Sequence, residues 1–163
     1  MNYILIGKIV NTHGIKGELR IISDFPYKDR VFKNNFNIYI GKDKINEVIN
    51  TYRHHKIFDM ITLKNYNNIN EVLKYKGSLV YINRLDLKLN DNEYLECDLL
   101  DFNIIINNNI IGKLSSFENH NNNKIIIVKN NEKEILLPYN NNLIENINLD
   151  KKEITYKNIE GLI

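Results

Sequence analysis

The chain has 163 residues, with 22 Lys and Arg against 20 Asp and Glu, one Cys, two Pro and no Trp. This length suits one large domain or two small ones, and a formal net charge of +2 is too slight to argue by itself for nucleic acid. One Cys excludes a disulfide framework and a Cys-based zinc cluster and fits a reducing compartment, and no apolar run nears the roughly 18 residues of a membrane span.

The start, MNYILIGKIV, has neither the basic n-region nor the small-residue cleavage site of a secretory signal, so a cytoplasmic chain beginning near Met1 is expected. Its alternation has the strand period. Tyr3, Leu5, Gly7, Ile9 and Asn11 fall on one face, and Asn2, Ile4, Ile6, Lys8 and Val10 on the other. Both faces are largely apolar before Lys8, which suits a central strand or one that closes a barrel. Residues 18–22, 36–40, 44–52 and 58–63 read as further strands. Residues 70–76 (NEVLKYK) instead carry Val72, Leu73 and Lys76 at helical spacing. Asn70 serves there as N-cap, Glu71 sits in the first turn and Gly77 is the stop. Residues 79–82 return to strand.

Residues 83–92 (NRLDLKLNDN) are polar and without a strong period, and read as a linker between a first domain, 1–82, and a second, 93–163. A second weak helix or turn is expected over 93–100, then strands over 103–106, 110–117, 124–129, 134–138 and 153–157. Asn, Ile and Lys make up almost half of the chain, which has no Ala and no Gln. The Asn clusters at 107–109, 121–123 and 140–142 are short and lie between apolar runs, so they read as loops of a folded protein. With so little helix the fold should be mainly β, and short, regularly spaced strands suggest small barrels or sandwiches.

The most informative stretch is residues 11–20, NTHGIKGELR. It is a loop between two strands in which Gly14 and Gly17 supply positive φ. His13, Lys16 and Arg20 place cationic groups at and just beyond it. The glycine spacing fits neither a P-loop nor a dinucleotide fingerprint, and a strand rather than a helix follows. The plainer reading is a hairpin turn with a solvated lysine.

Residues 7–18, GKIVNTHGIKGE, resemble the start of the RimM family of bacterial ribosome maturation factors. Ser23-Asp24-Phe25-Pro26, Arg30-Val31-Phe32, Arg53-His54-His55-Lys56 and residues 68–77 are similar to the family's next segments. Glu93-Tyr94, Asp98-Leu99-Leu100, Ile111-Gly112-Lys113, Leu136-Leu137-Pro138-Tyr139 and Glu160-Gly161-Leu162-Ile163 continue the match in order. The chain departs from the pattern at Leu95, where a second aromatic is common, at Asp101, where Gly is common, and at Lys124, where Asp usually follows the Asn.

The resemblance implies an all-β protein of two small β-barrels, a translation-factor-like N-terminal barrel and a C-terminal PRC barrel, joined by a short linker and carrying one or two short helices. It further implies a non-enzymatic factor for late assembly of the 30S subunit head and for 16S rRNA processing. Its partners would be ribosomal protein S-nineteen and the immature 30S subunit with its 16S rRNA. A cytoplasmic monomer without cofactor or membrane contact is expected.

On this reading the binding residues are His13, Gly14, Lys16, Gly17 and Arg20, then Arg53, His54 and Lys56, and in the second domain Tyr94, Leu95 and Asp98. Residues 53–56 with Lys16 and Arg20 form a candidate basic patch whose RNA affinity would depend on salt. The alternative is a solvated hairpin end balanced by acids. Tyr94 beside Leu95 suits either a protein-interface anchor or a filler of the seam between domains. No metal or catalytic site is expected. His54 and His55 are adjacent on a strand and point to opposite faces, the acids beside Cys97 disfavour a thiolate nucleophile, and no serine elbow is present. The rival function is a general RNA-binding barrel without a dedicated protein partner.

Overall fold

Isoleucine, leucine and tyrosine at alternate positions build twelve strands among the residues described by the computed structural model, 1–131, 133–158 and 161. The chain divides into two units, Met1–Lys88 and Leu89–Ile163. Of the family-like ending, Glu160, Leu162 and Ile163 lie outside the described residues.

In the first unit β1 (Tyr3–His13), β2 (Glu18–Ile22), β3 (Asn37–Ile40), β4 (Ile45–His55), β5 (Phe58–Leu63) and β6 (Leu79–Asn83) close a barrel in the order β1-β2-β5-β4-β3-β6. Ile9, Leu19, Ile21, Ile49, Ile61 and Val80 fill it and are shielded from solvent. Strict alternation along β1 would send Ile6 and Ile9 to opposite faces, yet both are buried. The cause is a bulge: the register against β6 shifts between Leu5 and Gly7, and the extra residue resets which side chains face inward. A second shift, against β2, falls between Ile9 and Asn11. Gly7 sits at the first bulge, where a Cβ would stand 2.8 Å from both the Ile21 side chain and the Ile22 carbonyl.

Three short helices brace the barrel: α1 (Lys28–Val31), α2 (Ile69–Val72), which runs on into a 3-10 turn at Leu73–Tyr75, and α3 (Arg84–Leu87). The helix expected over 70–76 starts earlier, because Asn68 rather than Asn70 is the N-cap; its side chain accepts from the Asn70 N–H at 2.9 Å. Gly77, at φ 84°, ends that segment as expected of a helix stop. α3 occupies the polar stretch read as a linker. Asn83 caps it, accepting from the Leu85 N–H at 3.3 Å, and Leu87 is its buried residue.

Among the described residues two carboxylates are buried, and both have partners. Glu47 accepts from the hydroxyls of Tyr66, at 2.7 Å, and Tyr75. Asp59 accepts from the Lys28 ammonium at 2.8 Å and the Tyr52 hydroxyl at 2.9 Å.

The second unit opens with a 3-10 turn, Glu96–Leu99, followed by β7 (Asn103–Ile106), β8 (Asn109–His120), β9 (Asn123–Asn130), β10 (Lys133–Pro138), β11 (Ile144–Asn148) and β12 (Glu153–Tyr156). They form one sheet in the order β10-β9-β8-β7-β12-β11, with β12 parallel to β7 and the other pairs antiparallel. β11 was not expected, since IENIN places Asn and Glu, poor strand formers, between its isoleucines. Leu99, Phe102, Ile104, Leu114, Ile126, Val128, Leu137, Ile154 and Tyr156 make its core.

The Asn clusters are turns with a physical reason. Asn107 and Asn108 have φ 51° and 62°, and Asn121 and Asn122 have φ 49° and 66°. Two successive positive φ values give the hairpin turn whose twist matches the strands, and Asn is among the few side chains that accept them. Asp101 has φ 65°, which accounts for glycine being common there in the family it resembles.

The hydrogen-bonded ladder is closed in the first unit. In the second, the buried Tyr156 hydroxyl reaches from β12 to donate to the Pro138 carbonyl on β10 at 2.9 Å, tying two strands that are not ladder neighbours. Tyr156→Phe therefore removes one bond and little volume. Its urea unfolding midpoint should fall by the equivalent of about 1 kcal/mol.

Candidate functional site

The loop between β1 and β2 is clamped from both sides. The Gly17 N–H donates to the Gly14 carbonyl at 3.2 Å, and the Ile69 N–H, at the start of α2, donates to the Ile15 carbonyl at 2.9 Å. Gly17 has φ 78°, and a Cβ there would stand 2.9 Å from a Val72 methyl and 3.0 Å from the Asn68 carbonyl. Gly14, at φ 68°, has open space around it. The glycines thus hold the loop against α2 while its tip presents Lys16 and the highly exposed Ile15.

Beyond the loop, the register builds a cationic wall from β2, β5 and β4. Met60 pairs with Arg20 on one side and Arg53 on the other. Directly opposed residues share a face, so the two arginines flank Met60, which is fully shielded. Arg53 grips Glu18 with two bonds, Nε to Oε2 at 2.9 Å and a second at 2.5 Å. Arg20 lies 2.7 Å from His13 Nδ1, and its guanidinium sits 5.5 Å from the centre of the Phe58 ring. The Arg20 Nε is buried without a hydrogen-bond partner. His55 pairs across from Phe58 at the far end. The hydrogen bonds from Arg53 outweigh burial and hold the Glu18 carboxyl below its ordinary value of 4.5. The same bonds push the Arg53 guanidinium up.

The structure therefore brings His13, Arg20 and Arg53 together, keeps His55 on the same face opposite Phe58, and sets His54, Lys16 and Lys56 apart from them. His54 turns to the opposite side of β4, where its Nδ1 lies 3.5 Å from the buried Asp59. Burial, and then the bond to Asp59, push the neighbouring Tyr52 hydroxyl up to about 12. Lys16 and Lys56 lie at opposite ends of the wall, because β2 and β5 are antiparallel and each follows its own turn. Glu18 and Phe58, which organise the wall, were not singled out from the sequence. The signal was present in the strands at 18–22 and 58–63, whose antiparallel pairing sets Arg20 opposite Met60.

In the second unit Leu95 is buried, so an exposed Tyr94–Leu95 pair does not form. The Leu95 N–H donates to Asp98 Oδ2 at 2.8 Å, which gives Asp98 a capping role. Tyr94 is half-buried against the core of this unit. Burial, and then Tyr94, raise the hydroxyl pKa of Tyr139. Among the described residues, no three His, Cys, Asp or Glu side chains converge as metal ligands, and no helix is long and apolar enough to cross a membrane.

Two stability effects follow. Gly17→Ala adds a strained φ and a clash with α2, and should cost about 2 kcal/mol in chemical denaturation, more than Gly14→Ala. Because the Glu18 carboxyl is depressed in the fold, its stabilisation is fully present above the ordinary value and fades as pH falls through the folded one. The melting-temperature gap between wild type and Glu18→Gln should be widest near neutrality and close in acid.

Residues 4–87 match the family profile described as RimM N-terminal domain. The chain is 32% identical over 165 residues to the ribosome maturation factor RimM of Bacillus mycoides, covering 97% of this chain and 96% of that one. It is 30% identical over 168 residues to the RimM of an Exiguobacterium species, covering 100% and 98%. The N-terminal domain of RimM from Thermus thermophilus, solved in solution, is 18% identical with a TM-score of 0.47 and covers 55% of this chain and 98% of that one.

Proposed function

The chain belongs to the RimM family, and from that premise we propose that it is a ribosome maturation factor that works by binding rather than catalysis. The observation that carries this is similarity to ribosome maturation factors along 97% of the chain. Its targets are ribosomal protein S-nineteen and the immature 30S subunit with its 16S rRNA, engaged at the head during late assembly in the cytoplasm. The wall of His13, Arg20 and Arg53 suits phosphate oxygens, with Glu18 limiting its pull, and Lys16 extends it at the loop tip. Tyr94, steadied by the capped turn of Leu95 and Asp98, is the contact for the protein partner. No cofactor is required. A chaperone of this kind needs moderate affinity, so that native ribosomal contacts displace it once they form.

Affinity purification of the tagged chain at mild salt tests this. Small-subunit precursors with their 16S rRNA and S-nineteen should be recovered together. Recovery of unrelated RNAs alone would instead identify a general RNA-binding barrel. Tyr94→Ala, with the buried Leu95 left intact, should reduce capture of S-nineteen in a variant whose thermal unfolding shows that it is folded.

A further inference from the structure

The other half of the barrel, formed by β3, β6 and β1, presents a different surface. Tyr81 on β6 pairs with Leu5 on β1 and with Tyr39 on β3, so all three share the outer face. Tyr3 and Leu79, each two residues away along its strand, lie on that face as well. Tyr39 is buried and meets the Tyr3 ring edge-on, with centroids 4.9 Å apart. Leu5 is 52% exposed and Leu79 39%. The Lys44 ammonium sits 3.7 Å from the centre of the Tyr81 ring, and Lys8 pairs with Leu79.

These strands, YILIGKIVNTH, NIYI and LVYIN, contain no Asp or Glu. Asp43 lies in the turn after β3, and the charge of Asp86 reaches Tyr39; neither is on the three strands. At one end of the face lies a cavity of about 340 Å³ lined by Gly41, Lys42, Gly77, Ser78, Leu79 and Tyr81. Gly41 and Gly77 have φ 75° and 84°, and a Cβ on Gly77 would have no neighbour within 4 Å, so bare backbone faces open space there.

Tyrosine rings on a sheet, bordered by lysines and free of strand carboxylates, match the chemistry of an unpaired RNA strand: bases stack on the rings and phosphates meet the ammonium groups. Tyr81 is half-buried, and the Lys44 ammonium also donates to the Gly41 carbonyl at 3.3 Å; a base that stacks on Tyr81 displaces Lys44 from both contacts, and the ammonium then meets the adjacent phosphate. We propose that the outer face of β1, β6 and β3 binds single-stranded RNA. Tyr81 is its stacking platform, Lys8, Lys42 and Lys44 neutralise phosphates, and the Gly41–Gly77 cavity admits a sugar or base edge. The proposal rests on the ribosomal reading only for the source of that RNA, an unpaired segment of precursor rRNA.

The test is fluorescence anisotropy of the full chain with a labelled oligouridylate at low salt. Wild type should bind, Tyr81→Ala should bind about tenfold more weakly, and Tyr81→Phe, which keeps the ring, should match wild type. Lys44→Gln should flatten the dependence of log affinity on log salt by about 0.7. This lysine variant decides the matter if Tyr81→Ala does not fold. Absence of binding by wild type would overturn the proposal, as would a folded Tyr81→Ala of unchanged affinity or an unchanged salt slope. So would a Tyr81→Ala that keeps its RNA affinity but loses a ribosomal protein, which would assign the face to protein. Oligouridylate binding by a chain that recovers no ribosomal precursor would leave this proposal standing and sink the ribosomal reading; the reverse pattern would do the opposite.

Discussion

Closure of the first barrel depends on β1. It pairs with β2 along one edge and with β6 along the other, and it does so with a shift of register on each side. A straight strand with strict alternation could offer the core only Ile6 or only Ile9. The bulge lets it offer both, and Gly7 leaves the room that the approach to β2 requires. Once β1 is bent in this way the six strands close, every outer side chain is assigned a wall, and the two walls proposed as binding surfaces follow from that assignment.

The two walls share a cylinder but differ in electrostatic design. On β2, β5 and β4 the cations are held: Arg53 by Glu18, Arg20 against His13 and Phe58. Such groups are fixed in direction and partly neutralised, which favours a few oriented contacts over broad attraction. Beside β3, β6 and β1 the Lys44 ammonium lies over the Tyr81 ring and donates to the Gly41 carbonyl, and these three strands carry no carboxylate to hold it. A formal net charge of +2 thus hides an uneven distribution. The buried acids stand apart from both walls, because Asp59 and Glu47 are consumed by Lys28 and by tyrosine hydroxyls.

Much of this was legible in the sequence. The period of two located β2, β5 and β7 to the residue, and the Asn clusters at 107–109 and 121–123 marked turns because Asn tolerates positive φ. Legibility failed where the deciding partner was distant. Alternation alone splits Ile6 and Ile9 between the two faces of β1, because a bulge is set by the neighbouring strands. Asn68 and Asn70 both suit the cap in sequence, and only the docking of Ile69 on the β1–β2 loop selects Asn68. The site was less legible than the fold for the same reason. Arg53 reads as a free cation until β5 is placed between it and Glu18. Tyr3, Tyr39 and Tyr81 are far apart in the chain and form no motif; only the registers of three strands make them neighbours.

The parallel pairing of β12 with β7 bears on how the second unit assembles. Its remaining ladder pairs join strands that follow one another in the chain, so each can zip from a local turn. β7 and β12, by contrast, are separated by every other strand of the unit, and β11 sits at the sheet edge with β12 as its sole ladder partner. Closing so long a loop costs chain entropy before any contact repays it. The meander from β7 to β10 can form while synthesis continues, but Tyr156 and the core position of Ile154 stay vacant until the last strand arrives. Among its described strands, the pairing of β12 with β7 therefore carries the largest loop-closure cost of this unit.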